Sequence, residues 1–143
     1  MTADVVIFAD GMTTTGVWAR SAGPYRIATH LRRMGLRVQV IDFWSFIVTE
    51  GPELIDVVLD KFVGANTLFV GFSSTFFNLR VPLYFGRKNK DKTVGYYTRH
   101  VDSQNALCAP DDLIAYIRER VKAINPKTAM LLGGARADRN AKH

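Results

Sequence analysis

The chain contains a single cysteine, Cys108, among its 143 residues. This excludes an internal disulfide, a cysteine-ligated iron–sulfur cluster and a multi-cysteine zinc site within the chain. Long apolar runs are also missing, since the longest ones, such as residues 67–72, are far shorter than the roughly 20 residues that cross a bilayer. The N-terminus lacks the basic flank and apolar stretch of a secretory signal. We therefore expect a cytoplasmic domain with no membrane partner.

Acidic residues are outnumbered, with 13 Asp and Glu against 19 Lys and Arg and a net charge of +6. The basic residues are spread along the chain, which does not favour a nucleic-acid partner. Two clusters stand out. Arg32, Arg33 and Arg37 lie near the end of a predicted helix, where cations suit the helix dipole, and residues 87–92 suit a polar turn. Both clusters are typical of solvated surface.

Apolar periodicity divides the chain into alternating strands and helices. Short apolar segments predict four strands, at residues 4–9, 37–43, 67–73 and 128–132. Apolar residues at helical spacing predict three helices, at residues 24–34, 53–63 and 111–124. Because such alternation requires long crossovers, it favours parallel pairing. The sequence predicts an α/β, flavodoxin-like (Rossmann-like) fold with a doubly wound parallel sheet in three layers.

Two stretches depart from this pattern. Residues 78–108 are long for a connection, and we interpret them as an insertion with a β-hairpin whose strands, residues 81–86 and 93–98, flank a lysine-rich tip. Beyond Gly134 the chain is polar and aperiodic, where a doubly wound domain normally supplies another helix and strand. We expect residues 1–143 to form a single domain that is shortened at its C-terminus.

Small and hydroxyl-bearing residues follow three of the predicted strands. They are the loop of residues 10–23, the run Ser73, Ser74 and Thr75, and the pair Gly133 and Gly134. In an open parallel sheet, ligands bind beyond the carboxyl ends of the strands, where the winding reverses. Such residues let a ligand approach the backbone and offer it hydrogen bonds. The coincidence of the three loops predicts a ligand site at this edge.

The order of these segments resembles a known family. Residues 23–42, GPYRIATHLRRMGLRVQVID, resemble the first helix and second strand of the cobalamin-binding domains that precede the radical S-adenosylmethionine core in many enzymes. Residues 70–75, VGFSST, look like that family's serine-containing strand end, and residues 131–135, LLGGA, look like its Gly-Gly segment. The resemblance covers about residues 4–136 and lies in the combination of these segments.

The resemblance implies a cobalamin site at the strand ends. In that family the hydroxyl-bearing strand end and the Gly-Gly segment line the pocket for the nucleotide tail of cobalamin, a role that falls here to Ser73, Thr75, Gly133 and Gly134, with Ser74 beside them. The family's iron–sulfur cluster and S-adenosylmethionine belong to a C-terminal catalytic domain that is absent from this chain. The resemblance thus implies a non-catalytic domain with that catalytic domain as its partner.

The first loop departs from the family pattern. Where its best-known members have Asp-x-His-x-x-Gly, with a histidine that ligates cobalt, residues 10–16 read DGMTTTG. Met12 takes the histidine position and Gly16 comes one residue late. A thioether is a much softer ligand than imidazole, so we expect no histidine ligation. The domain either binds a corrinoid without that ligand, through a loop that includes Gly11, Thr13 and Thr14, or retains only the fold.

The residues leave two other functions open. The missing histidine and the basic insertion also suit a cofactor-free docking domain. The residue 13–15 loop with Arg20 or Arg26 suits a nucleotide- or phosphate-binding domain, because backbone N–H groups at a helix start favour anions. Asp42, at the end of a predicted strand, is expected to cap or hydrogen-bond a loop. No local motif ties a nucleophile to a histidine, so no catalytic residue is predicted.

Overall fold

The computed structural model describes residues 1–9, 22–42, 52–73, 77–78, 107–108 and 111–134. Its elements are, in chain order, β1 (Val5–Ala9), α1 (Ala22–Arg33), β2 (Val38–Asp42), α2 (Pro52–Phe62), β3 (Phe69–Ser73), β4 (Phe77–Asn78), β5 (Leu107–Cys108), α3 (Asp111–Ile124) and β6 (Ala129–Gly133). The four predicted strands and three predicted helices are all present, with ends shifted by two residues at most. None of the described helices is long and apolar enough to span a membrane.

Four of the strands form one parallel sheet in the order β2-β1-β3-β6. Val5 of β1 lies opposite Val38 of β2 and Phe69 of β3, and Phe69 in turn lies opposite Ala129 of β6. Because β2 lies on one side of β1 and the later strands lie on the other, the winding reverses between β1 and β3. This topology confirms the α/β, flavodoxin-like sheet that the sequence predicts.

One face of the sheet, here the α2/α3 face, carries the larger core. Phe8 and Phe72 lie opposite each other on β1 and β3, and their rings stack with centroids 5.1 Å apart. Leu59 of α2 and Ile117 of α3 pack in the same cluster and are fully buried. Burial of each such side chain contributes about 1.5–3 kcal/mol to stability. This cluster anchors both helices to the sheet.

The opposite face, here the α1 face, carries a smaller core. Val5 and Ile7 of β1 and Val38 and Val40 of β2 pack in one cluster with Ala28 of α1. Ala28 is fully buried, and its small side chain suits a helix that lies close to the sheet. The α1 helix, the sheet and the α2/α3 pair make up the three layers.

Hydrogen bonds from buried threonines join the beginnings of the strands. The Thr67 hydroxyl donates to the carbonyl oxygen of Ala3 over 2.7 Å and accepts the backbone N–H of Gly64 over 2.9 Å. The Thr128 hydroxyl donates to the carbonyl oxygen of Thr67 over 2.8 Å. The sequence predicts Thr67 as a strand residue, but β3 begins at Phe69, since Thr67 closes a turn by donating its N–H to the Gly64 carbonyl.

The end of α1 follows the sequence closely. Gly35 adopts a φ of 88°, which favours glycine, and the Leu36 N–H donates to the Leu31 carbonyl in the pattern of a helix C-cap. Two of the arginines assigned to this helix end have partners. The Arg32 guanidinium donates to the Val38 carbonyl over 2.7 Å, and the Arg37 guanidinium pairs with the Asp4 carboxylate. Arg32 therefore links α1 to β2, and Arg37 links the segment before β2 to the segment before β1.

The described ends of the insertion lie side by side. Phe77 and Asn78 of β4 pair in parallel with Leu107 and Cys108 of β5. The sequence did not indicate this short pair. The hairpin predicted between them, at residues 81–98, lies outside the described residues.

Candidate functional site

A cavity of about 420 Å³ opens on the α1 face, between the first turns of α1 and the strands β3 and β6. We call it the α1-side cavity. Gly23, Pro24 and Ile27 form its helical wall, and the sheet forms its floor. Its volume falls within the roughly 300–1,000 Å³ that is usual for small-molecule sites. The cavity is therefore large enough for a ring-bearing ligand.

The register of the sheet defines the cavity floor. Gly71 of β3 lies between Ile7 of β1 and Leu131 of β6. Ser73 lies opposite Gly133 at the carboxyl ends of the same two strands. All five residues line the cavity. It extends to the carboxyl edge of the sheet, beside the winding reversal, which is where ligands bind in open parallel sheets.

The glycines that line the cavity differ in whether the local structure requires a glycine at their positions. Gly134 has a φ of 105°, which favours glycine, but Gly133 does not have a positive φ. A Cβ atom built at Gly133, or at Gly23 in the helical wall, would meet nothing within 4 Å. At Gly71 a Cβ would be in ordinary contact, 3.9 Å from the Phe69 ring. Gly133 is exposed, so neither its backbone conformation nor close packing requires glycine there, and a side chain would have room beside the cavity.

The described lining is apolar apart from one hydroxyl. Ser73, which is half-buried, supplies the one polar side chain among the described lining residues, and none of these residues is charged. The cavity therefore suits an uncharged apolar or heteroaromatic group that takes one or two hydrogen bonds. Such a site uses shape and burial for affinity and a few polar groups for orientation.

A hydrogen bond positions the helical wall. The Tyr25 hydroxyl donates to Oδ2 of Asp42 over 2.9 Å, which joins the first turns of α1 to the carboxyl end of β2. Pro24, the neighbouring wall residue, is buried. Asp42, which the sequence predicts to cap or hydrogen-bond a loop, thus accepts a hydrogen bond from a side chain of α1.

The structure brings together three of the residues that the sequence assigns to a ligand. Ser73, Gly133 and Gly134 line the α1-side cavity. The other assigned residues lie outside the described residues; they are Gly11, Met12, Thr13, Thr14, Gly16, Ser74 and Thr75. Sequence reasoning missed the floor position Gly71, although an isolated glycine in a strand is a signal of close backbone approach.

No metal site is found in the part of the chain that the structure describes, where no group of three or more His, Cys, Asp or Glu side chains could hold an ion. His30 lies exposed on α1. Arg26, one of the cations considered for phosphate binding, is also exposed on α1, and the loop of residues 13–15 lies outside the described ranges.

Comparison with protein-family models, with curated proteins and with solved structures gives no match for this chain. A proposal of function therefore depends on the α1-side cavity and its lining residues.

Proposed function

We propose that this chain is a non-catalytic corrinoid-binding domain whose α1-side cavity receives the nucleotide tail of cobalamin. The observation that carries the proposal is the meeting of Ser73, Gly133 and Gly134 on one cavity. These residues come from two strands about 60 positions apart in the chain, and the family resemblance assigns all three to that tail. The cavity also lies at the carboxyl edge of the sheet, beside the winding reversal.

The chemistry of the lining fits the tail. Its base is a flat, uncharged heteroaromatic ring, which suits an apolar cavity with no charged side chain among its described lining residues. Gly133 and Gly23 leave open the space that a Cβ atom would fill. The Ser73 hydroxyl can donate to a ring nitrogen or accept from a ribose hydroxyl. When bound, cobalamin supplies a cobalt centre that carries an alkyl group or an electron to a catalytic partner, and the role of this chain is to hold the tail.

Burial of the base of the tail in the cavity determines how much more tightly cobalamin should bind than a corrinoid without the tail. If roughly 100 Å² of apolar ring surface leaves water, the gain is about 2.5 kcal/mol at 25 cal/mol per Å². That gain corresponds to a roughly 70-fold difference in affinity. Cobinamide, which has the corrin ring but no nucleotide tail, should therefore bind this chain more weakly than cobalamin by more than about tenfold.

The test compares the two corrinoids directly. Purified protein is mixed with hydroxocobalamin or aquocobinamide, free ligand is removed by gel filtration, and the visible spectrum of the protein peak gives the bound fraction. We expect a stoichiometric cobalamin band and a much weaker cobinamide band. A colourless protein peak, or equal retention of the two corrinoids, refutes the proposal that the cavity holds the tail.

A matched pair of variants locates the site. Gly133→Leu places a bulky side chain in the cavity, where a Cβ meets no neighbour, so the fold should tolerate it. Ala129→Leu is the control, because it also introduces a leucine side chain on the same strand, at an exposed position outside the cavity lining. Cobalamin retention should be lost in the first variant and kept in the second. If both variants retain cobalamin, the tail lies elsewhere.

A further inference from the structure

The α1 face of the sheet is only half covered by the described elements. Helix α1 packs over β1 and β2, but on β6 Ala129 and Leu131 are exposed, and Leu131 leaves 48% of its surface in solvent. Their neighbours Met130 and Leu132 pack against the α2/α3 core. All-parallel sheets are normally covered on both faces. The open half is therefore a surface that a further element can cover.

Helix α1 also turns an apolar side chain toward this open half. Ile27, which lines the α1-side cavity, is 55% exposed. We use the word slot for the groove between Leu131 of β6 and this side of α1, which is continuous with the α1-side cavity because both Ile27 and Leu131 line that cavity. The twelve residues of α1 extend over about 18 Å, and the five residues of β6 over about 17 Å. These lengths match a helix of about three turns.

The charges beside the slot select its occupant. Helix α1 has no acidic residue in its first turn or elsewhere, and it exposes Arg26, His30 and Arg33. None of these cations pairs with an acid among the described residues. A second copy of this chain would bring two such helices together and is disfavoured by repulsion. An occupant with acidic residues along the edge that meets α1 is attracted to the same cations.

We propose that this slot binds an amphipathic α-helix of a partner protein, with an apolar stripe against β6 and Ile27 and an acidic edge beside α1. The helix occupies the position of a second covering helix on this face. Binding buries Leu131 and Ile27, which are among the largest exposed apolar side chains of the described chain. This mode is recognition of an amphipathic helix in an apolar groove, with charge setting its orientation. Because Ile27 and Leu131 also line the α1-side cavity, the helix and the nucleotide tail compete for this part of the chain, and the helix binds the corrinoid-free form.

The probe is a fluorescein-labelled, helix-forming peptide of about 14 residues, with leucine along one side and glutamate along both edges. Fluorescence anisotropy measures its binding to the full chain without corrinoid. We expect a dissociation constant on the order of 100 µM or tighter. A peptide with lysine in place of each glutamate should bind at least roughly tenfold more weakly. Equal binding of the two peptides, or no binding of the glutamate peptide at about 1 mM, overturns the proposal.

Variants of exposed apolar residues locate the binding surface. Ile27→Glu and Leu131→Glu put a charge into the slot and should each weaken binding of the glutamate peptide at least roughly tenfold. Val57→Glu is the control, because Val57 of α2 is 60% exposed on the opposite side of the sheet. If Val57→Glu weakens binding as much, the slot is not the site. A dimer in sedimentation velocity that Leu131→Glu abolishes would instead assign the surface to a second copy.

Discussion

Replacement of Thr67 by valine tests how the beginnings of the strands are held together. Thr67 is 1% exposed, and its hydroxyl bridges the Ala3 carbonyl and the Gly64 N–H. Valine has nearly the same shape but offers no hydrogen bond. Both backbone groups belong to buried residues, so neither readily finds water as a replacement. The substitution should destabilise the fold without changing its packing volume.

The size of the expected destabilisation follows from the two backbone groups that lose their hydrogen-bond partner, the Ala3 carbonyl and the Gly64 N–H. Each unsatisfied buried group costs about 1–3 kcal/mol, and burial of the extra methyl group offsets about 1 kcal/mol. We expect Thr67→Val to lower the free energy of unfolding by about 2–4 kcal/mol. A domain of this size has roughly 5–15 kcal/mol in total, so the loss corresponds to a fall of roughly 10 °C in Tm.

Urea unfolding followed by far-ultraviolet circular dichroism measures the change. Thr29→Val is the matched control, because the Thr29 hydroxyl donates to the Tyr25 carbonyl on the exposed surface of α1. Its effect should stay within about 0.5 kcal/mol. A loss below about 1 kcal/mol for Thr67→Val, at an unchanged denaturant slope, refutes the view that the Thr67 hydroxyl stabilises this edge.

Three further predictions concern charge and backbone. The hydrogen-bonded Arg37 guanidinium lowers the pKa of Asp4 to about 2, so the stability that this carboxylate contributes is present above about pH 4 and is lost as the pH falls toward 2. The difference in urea midpoint between wild type and Asp4→Asn should shrink over that range. Tyr116→Phe should raise the pKa of Asp56, since the Tyr116 hydroxyl is the main cause of its lowering, and an NMR titration of the carboxyl carbon that shows no rise contradicts this. Gly35→Ala should cost about 1 kcal/mol in urea unfolding, because a φ of 88° strains any residue with a Cβ; a neutral effect would argue against that conformation.

The sequence predicts the elements well because their signals are local. Continuous apolar runs mark β1 and β3, and Gly35 ends α1 as expected. Helix α3 spans the predicted residues without a shift. Parallel pairing follows from the alternation of strands and helices, since each crossover must return the chain to the same end of the sheet. These features need no knowledge of contacts between distant residues.

The candidate site could not be predicted in full from the sequence, because it depends on contacts between residues that are distant in the chain. Val5, Val6, Ile7 and Phe8 are all buried, so the sequence of β1 does not reveal which residues face α1. The structure shows that Gly71 and Ser73 belong to the cavity floor, and that the ring of Phe72, another lining residue, stacks on Phe8. The Tyr25–Asp42 bond joins residues 17 positions apart, and a side-chain pairing of this kind leaves no periodic signal.

The described residues differ between the two ends of the sheet, and this difference bears on where the proposed corrinoid tail binds. At the amino end, buried Thr67 and Thr128 donate hydrogen bonds to backbone carbonyls of neighbouring segments. At the carboxyl end, Ser73 and Gly133 lie opposite each other, and a Cβ on that glycine would meet nothing within 4 Å. Of the two ends, the carboxyl one is therefore where the described residues leave room for the nucleotide tail that we propose.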